Sequence, residues 1–183
     1  MIRRVSCLGG LILSVIACTV PPDSVPEIVE ADLSDLPQVE RQTASDLVAV
    51  PLYLVKDGAI VAVTRDLAAP AEVESVLGSL LSGTTGPEER TGLRTSIPTE
   101  TRLLGVETEG STVHIDVSRD FAGVGGEEEL LAVAQIVLTV GDVEGIESVV
   151  FQLEGVPTDV PLPGGALADR PVLAGQYREL LAR

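Results

Sequence analysis

A serine, a histidine and two aspartates lie close together near the middle of the chain. In the stretch STVHIDVSRDF (residues 111–121), His114, Asp116 and Ser118 follow one another at steps of two, and His114 is the only histidine. Serine, histidine and aspartate are the side chains with which many hydrolases activate a nucleophile. This stretch is therefore the first candidate for a catalytic site.

The spacing argues against catalysis. Val113, Ile115 and Val117 alternate with the polar residues, which predicts a β-strand with these three side chains directed inward. Residues two apart on a strand are separated by roughly 6.5–7 Å, whereas a nucleophile and its base must come within about 2.6–3.2 Å. We therefore predict that the protein is not an enzyme and has no catalytic residues. The polar face of the strand leaves His114 and Asp116 as candidates for contact with a partner.

Oxygen ligands at alternate positions also raise the question of a cation. Asp116, Ser118 and Asp120 carry the oxygen atoms that Ca²⁺ and Mg²⁺ prefer. An EF-hand-like run of Asp and Asn with a distal glutamate is missing, and we expect Ser118 and Asp120 to bond backbone amides in the turn after the strand. These three residues remain candidate ligands, but we predict no metal site and no cofactor.

The composition excludes several classes of partner. The formal net charge is −16, with only 12 Lys and Arg residues, so nucleic acid is not an expected partner because phosphate binding needs a basic surface. Aromatic residues make up 2% and Trp is absent, which argues against a platform for stacking bases or sugars. Hydrophobic residues make up 45%, so the chain can build a core, mostly from aliphatic side chains.

The N-terminus has the pattern of an export signal. In MIRRVSCLGGLILSVIAC, Arg3 and Arg4 precede an apolar run over residues 5–17, which is shorter than the roughly 20 residues that span a bilayer. The residues VIAC (15–18) resemble a bacterial lipobox. We expect a lipoprotein signal peptide over residues 1–17, cleavage before Cys18, and acylation of Cys18 with palmitate or a similar chain. The alternative is a plain secretory peptide with an incidental cysteine.

Such a lipid would anchor the protein to the extracytoplasmic face of the cell membrane. Cys7 would be removed with the signal, so no disulfide is expected. The residues that follow Cys18 are acidic, small and rich in proline, without a sustained apolar period. We therefore predict that residues 18–47 are the acylated cysteine and a disordered tether, and that residues 48–183 form a single domain.

The elements of this domain can be predicted from periodicity. Asp57-Gly58 joins two alternating segments as a β-hairpin, and a second hairpin is expected around Glu109-Gly110. Helices are predicted from two apolar stripes, and the last residues are expected to dock on the domain. The first stripe is Val73, Val76, Leu77, Leu80 and Leu81, the second is Leu130, Ala134, Val137 and Leu138, and the docking residues are Val172, Leu173 and Tyr177.

One strand over residues 146–155 and a further extended piece complete the order ββ-α-ββ-α-ββ. Helices that fall between hairpins favour antiparallel pairing. We therefore predict an α+β domain with a mainly antiparallel sheet and two helices packed on one face.

These segments in this order resemble the GerMN domain, which is named from a sporulation and spore-germination lipoprotein. The resemblance covers roughly residues 50–180 and is carried by VESVLGSLLSGTTGPEERTGLRTSIPTETRLLGVETEGSTVHIDVSRDF, EEELLAVAQIVLTV, GIESVVFQLEG and RPVLAGQYREL. It implies a non-catalytic envelope module similar to the ring-building modules of secretion-type assemblies. In that family Asp116, Ser118 and Phe121 would be positions that determine the fold.

The chain departs from the family pattern in two ways. The sporulation protein carries two such domains and this chain has room for one, and the propeller-like region of other relatives is missing. Our leading hypothesis is a lipid-anchored envelope protein whose domain binds other envelope proteins. The alternative is a lipoprotein that binds a small ligand or a divalent cation for uptake or sensing, which would need a pocket of roughly a few hundred Å³ lined by apolar groups with convergent polar ones.

Overall fold

The first element is a long β-hairpin. In the computed structural model, which describes residues 46–169 and 171–183, strands β1 (Leu47–Lys56) and β2 (Ala59–Ala68) pair antiparallel. Asp57 and Gly58 form the turn with φ of 51° and 79°, which confirms the predicted hairpin. The predicted signal peptide, Cys18 and the tether up to residue 45 lie outside the described residues.

Two helices follow the hairpin. In helix α1 (Val73–Leu81), four residues of the predicted stripe are buried and Leu81 is half-buried. Helix α2 (Gly86–Arg90) is a single turn, which begins with a capping box between Thr85 and Glu88. The predicted apolar face of α1 is therefore confirmed.

Arg65 of β2 ties these two helices to the hairpin. Its guanidinium donates to the carbonyl oxygens of Ser79 and Gly83, each at 2.7 Å, which satisfies acceptors at the C-terminal end of α1. It also donates to both carboxylate oxygens of Glu88, at 3.2 and 2.7 Å. One side chain thus fixes α1 and α2 against β2.

The second hairpin belongs to a larger sheet. Strands β3 (Leu103–Glu109) and β4 (Thr112–Val117) pair antiparallel, and the turn is Gly110-Ser111, one residue later than predicted. Strand β4 also pairs in parallel with β5 (Ser148–Leu153), because the long connection between them returns to the same end of the sheet. The short strands β6 (Val156–Pro157) and β9 (Val172–Leu173) both pair antiparallel with β5.

The described residues form three separate sheets, which the prediction of one sheet did not anticipate. Besides the β1–β2 hairpin and the five-stranded sheet, β7 (Val160–Pro161) pairs with β8 (Leu167–Ala168). All pairs except β4–β5 are antiparallel. The predicted α+β class with mainly antiparallel pairing is confirmed.

Helix α3 (Glu127–Gly141) is the centre of the core. Every residue from Leu131 to Val140 is buried, whereas Leu130 is only half-buried. The predicted stripe of Leu130, Ala134, Val137 and Leu138 was therefore too narrow. The reason is that α3 contacts β1, β5, α1 and the C-terminal helix α4 (Ala174–Tyr177), so neighbours cover it on several sides.

Two buried polar side chains of α3 bond the edge of β1 that faces away from β2. Gln135 donates from Nε2 to the Tyr53 carbonyl at 2.9 Å, and its Oε1 accepts from the Ser96 amide at 2.7 Å. Thr139 Oγ1 accepts from the Tyr53 amide at 3.1 Å. Helix α3 thus completes the hydrogen bonding of β1 at its middle.

The C-terminal residues dock on the domain as predicted, with one exception. Val172 and Tyr177 are buried, and the Tyr177 hydroxyl donates to the Pro161 carbonyl at 2.9 Å. Burial raises the pKa of Tyr177 above its ordinary value. Leu173 is 49% exposed, so the prediction that it docks was wrong. Successive side chains of a strand point to opposite faces, so Leu173 lies on the outer face of β9 when Val172 points into the core.

None of the helices in residues 46–169 and 171–183 combines the length and the apolar character needed to cross a bilayer.

Candidate functional site

His114 and Asp116 lie on the half-buried face of β4. His114 Nε2 is 3.8 Å from Glu109 Oε2, across the β3–β4 hairpin. Asp116 Oδ1 accepts a hydrogen bond from the Gly155 amide at 2.9 Å, in the turn between β5 and β6. Asp116 therefore holds a turn in place, and His114 presents an imidazole with 27% of its side chain exposed.

Ser118 does not lie on that half-buried face. It is 2% exposed, because the strand ends at Val117 and the chain then turns inward. Its hydroxyl accepts from the Arg102 amide at 3.0 Å and donates to Asp120 Oδ2 at 2.9 Å. The predicted bond to an amide of the following turn was wrong, because the amide comes from the residue before β3.

Phe121 adds apolar packing next to the hydrogen bonds of Ser118. Its ring is buried and stacks on Phe151 of β5, with centroids 6.0 Å apart. The Phe121 amide donates to the Ser118 carbonyl at 3.0 Å. Asp116, Ser118 and Phe121 therefore join β3, β4 and β5 at one end of the sheet.

The residues of the possible triad are not brought together. The hydroxyl proton of Ser118 is directed to Asp120, whereas the contact of His114 is with Glu109. Within residues 46–169 and 171–183, no three His, Cys, Asp or Glu side chains are grouped as metal ligands. Asp116 and Asp120 each hold a hydrogen bond within the protein, and the absence of a metal site in the whole chain stays a prediction.

A groove lies elsewhere on the domain, beside the start of β1. It has a volume of about 690 Å³ and is lined mostly by aliphatic side chains and prolines. Its walls come from four parts of the chain: the start of β1, the residues leading into α1, strand β3, and the loop after α3. The lining comprises residues 48–51, 69–74 and 142–144, with Val76, Val106, Thr108 and Ile146.

The groove is open to solvent and its charged lining is acidic. Glu72, Glu74, Asp142 and Glu144 are exposed, and the lining includes no Lys or Arg. Asp142 Oδ2 accepts a hydrogen bond from the Tyr53 hydroxyl at 2.7 Å. Burial, together with that bond and the Asp142 charge, raises the pKa of Tyr53 to about 12. Tyr53 therefore stays protonated at neutral pH and holds Asp142 beside the groove.

The backbone of β1 forms one side of the groove. In an antiparallel strand, residues two apart direct their backbone groups to the same edge. Tyr53 and Val55 bond α3 and Arg94 on the edge away from β2, so Leu47, Ala49 and Pro51 direct their backbone groups to that edge too. Within the part of the chain that the structure describes, nothing hydrogen-bonds the backbone of Ala49 on that edge.

The prediction from sequence missed this groove. Its walls are far apart along the chain, so no spacing of residues could indicate it. One signal was present: a proline inside a strand is confined to a strand edge, because it cannot donate to a ladder. Pro51 within the alternating segment LVAVPLYLV thus indicated an edge, although not what faces it.

Comparison with known families and structures gives a consistent result. The family model Germane, described as sporulation and spore germination, matches residues 51–159. The tandem GerMN domains of the sporulation protein GerM from Bacillus subtilis have a similar fold, with a TM-score of 0.57 and 22% identity over 69% of this chain and 46% of that one. The chain thus spans about half the length of that tandem protein.

The first GerMN domain of GerM from Bacillus subtilis is similar over nearly its whole length. The TM-score is 0.54, with 21% identity over 70% of this chain and 98% of that chain. At such identities the likeness concerns the fold. No curated protein matches the chain.

Proposed function

Because this chain belongs to the Germane family of sporulation and spore-germination domains, we propose that it is a lipid-anchored envelope protein whose GerMN domain binds other proteins. The resemblance predicted from the sequence is confirmed, since the matched residues 51–159 fall inside the predicted domain. The anchor, the binding role and the location are the proposed parts.

The observation that supports a binding role is the open groove beside β1. Its lining is largely apolar, and Val48 at its mouth is 39% exposed. Apolar surface in contact with water favours association, because covering it removes that contact. A partner that fills the groove would also reach the backbone of Ala49.

The arrangement on β4 supports a role without catalysis. Ser118 is buried and bonds Asp120, and Asp116 bonds the Gly155 amide. A hydrolase would need the serine and the histidine in contact with each other. These residues instead join neighbouring strands, and His114 remains a candidate for contact with a partner.

The proposed location follows from the first residues of the chain. The sequence VIAC ahead of the tether provides Cys18 as the site of lipidation, on the extracytoplasmic face of the cell membrane. The partners would then be other proteins of the envelope. The net charge of −16 opposes association with anionic lipid headgroups, so attachment would depend on the acyl chains.

The volume of the groove also favours an alternative. About 690 Å³ is within the range of small-molecule pockets, so the groove could hold an apolar ligand for uptake or sensing. A divalent cation would bind elsewhere, at Asp116 and Asp120. Calorimetry with Ca²⁺ and Mg²⁺ on wild type and on Asp116→Asn/Asp120→Asn is the direct test. Heat of binding that the double substitution abolishes would support a bound cation.

The binding role is tested by capture of crosslinked partners from envelope extracts with three full-length proteins. Val48→Lys places a charge in the groove, and the matched control Val156→Lys places the same charge on a 64% exposed residue of β6 outside it. We expect wild type and Val156→Lys to capture the same protein and Val48→Lys to lose most of it. Equal capture by both variants would remove the groove from the proposed function.

A further inference from the structure

We infer that the groove binds an extended, cationic segment of a partner protein, which adds as a strand to the edge of β1 that faces away from β2. The inference rests on the proposed protein-binding function and specifies how the partner is held. Three features carry it: the backbone edge, the aliphatic lining and the acidic rim.

The backbone edge provides the hydrogen bonds. Ala49 and Leu47 each direct an N–H and a C=O away from β2, and Pro51 directs a C=O. Further along β1 the same edge is already paired, since α3 bonds Tyr53 and Arg94 exchanges two bonds with Val55 at 2.8 and 2.9 Å. Among the residues that the structure describes, the part of the edge that borders the groove has no hydrogen-bond partner and can accept an added strand.

The length of this edge sets the size of the occupant. The four residue steps from Leu47 to Pro51 span roughly 13 Å at about 3.3 Å per residue, enough for a strand of about five residues. Pro51 stops the pairing, because it has no N–H to give. Alternate side chains of the added strand would face the groove lining, which includes Val73, Val106 and Ile146.

The charges at the rim select the occupant. Four carboxylates, those of Glu72, Glu74, Asp142 and Glu144, border a groove whose other lining residues are aliphatic or proline apart from Thr108. They favour a segment in which apolar residues alternate with Lys or Arg. A second copy of this chain would be repelled, since each copy carries a net charge of −16. The chain's own residues 19–45 are also acidic, with six Asp and Glu against a single Arg.

The test uses a nine-residue peptide of alternating valine and lysine, titrated into the full chain in zwitterionic detergent. Affinity is measured by fluorescence anisotropy and amide exchange by NMR. We expect saturable binding that slows exchange of the Ala49 amide about tenfold. The matching valine–glutamate peptide should bind at least about tenfold more weakly.

Two variants test the edge itself. Ala49→Pro removes the N–H that faces the groove, whereas Ala62→Pro removes one on the outer edge of β2, opposite Tyr53. We expect Ala49→Pro to weaken binding roughly five- to tenfold and Ala62→Pro to leave it unchanged. Thermal unfolding checks that both variants fold. If Ala49→Pro does not fold, the valine–lysine peptide is instead N-methylated at alternate residues and titrated into the wild-type protein. We expect this methylated peptide not to bind.

The outcomes separate this inference from the proposed function. The inference of an added strand would be overturned by any of three results. These are no binding of the valine–lysine peptide, unchanged exchange at Ala49, or full affinity for the Ala49→Pro protein or the N-methylated peptide. If the valine–glutamate peptide bound as tightly as the valine–lysine peptide, the inference that the occupant is cationic would be overturned. In each of these cases selective loss of partner capture in Val48→Lys would still support protein binding through the groove.

Discussion

At the scale of single residues, two buried threonines differ in one hydrogen bond. Thr139 Oγ1 accepts from the Tyr53 amide at 3.1 Å, whereas Thr101 Oγ1 is buried without a hydrogen-bond partner among the described residues. A buried polar group without a partner lowers stability, because it has lost its bonds to water. The same substitution should therefore have opposite effects at the two sites.

We expect Thr101→Val to raise the free energy of unfolding by about 1 kcal/mol, and Thr139→Val to lower it by roughly 1–2 kcal/mol. The side chain keeps its shape in both cases, so the difference reports the hydrogen bond. Urea denaturation followed by circular dichroism measures both values. A loss of stability in both variants would mean that the Thr101 hydroxyl has a partner in solution.

The ion pair of Glu88 and Arg65 makes a second residue-scale prediction. The pair is largely buried, with side-chain exposures of 15% and 13%. Burial alone would raise the pKa of Glu88, but hydrogen bonds from Arg65 and Thr85 outweigh it, so the pKa lies below the ordinary 4.5. A carboxylate with a depressed pKa stabilises the fold above its unfolded pKa, and that contribution is lost as pH falls through the folded value.

Glu88→Gln should therefore be roughly 2 kcal/mol less stable than wild type at pH 7. This deficit should narrow as pH falls below about 4.5, where the unfolded carboxyl takes up a proton. Denaturation at a series of pH values measures it, with Arg65→Gln/Glu88→Gln as the variant that lacks both partners. A deficit that is constant from pH 7 to pH 3 would contradict the assignment.

At the scale of elements, the contact of α3 with α4 depends on one glycine. A Cβ added at Gly141, the last residue of α3, would lie 2.6 Å from the Cβ of Ala174. No such contact exists at Gly78 of α1, where nothing lies within 4 Å of an added Cβ. The two glycines therefore differ in the space available and not in the type of element.

Gly141→Ala should lower the free energy of unfolding by roughly 1–3 kcal/mol, because the backbones of α3 and α4 must separate. Gly78→Ala should raise it by up to about 1 kcal/mol, since alanine favours a helix. Chemical denaturation compares the two variants under one set of conditions. A Gly141→Ala protein as stable as wild type would mean that α4 is not packed closely on α3.

The elements themselves could largely be predicted from the sequence, because local rules determine them. Asp57-Gly58 specifies its turn, and the alternation of Val113, Ile115 and Val117 specifies which face is inside. Prediction failed where tertiary neighbours decide. Leu130 continues the apolar stripe of α3 but is only half-buried against the core, and Ser118 continues the alternation of β4 but lies past its end.

At the scale of the whole molecule, we can test the proposed lipid anchor at Cys18. Cys18→Ala should abolish incorporation of a clickable palmitate analogue and release the protein from the membrane fraction, because no acyl chain can then be attached. Cys7→Ala is the matched control, since Cys7 lies inside the predicted signal, and should leave labelling and fractionation unchanged. Labelling that survives Cys18→Ala, or is lost with Cys7→Ala, would rule out the assigned site.

The groove could not be predicted from the sequence, although the fold that forms it could be recognised. Residues 51–159 carry the family pattern, but the groove depends on how β1 and β3 approach each other at the ends of two separate sheets. Pro51 indicated a strand edge. In the sequence, the acidic residues at 72, 74, 142 and 144 are typical of solvent-exposed positions. The fold brings them together at one groove.

Site-specific photocrosslinking in cells tests protein binding through the groove. A benzoylphenylalanine replaces Thr108, which is exposed and lines the groove, or Val156, which is 64% exposed and outside it. We predict one discrete crosslinked product with an envelope protein from position 108, which Val48→Lys removes, and none from position 156. No product at position 108, or the same product from both positions, would contradict a binding role for the groove.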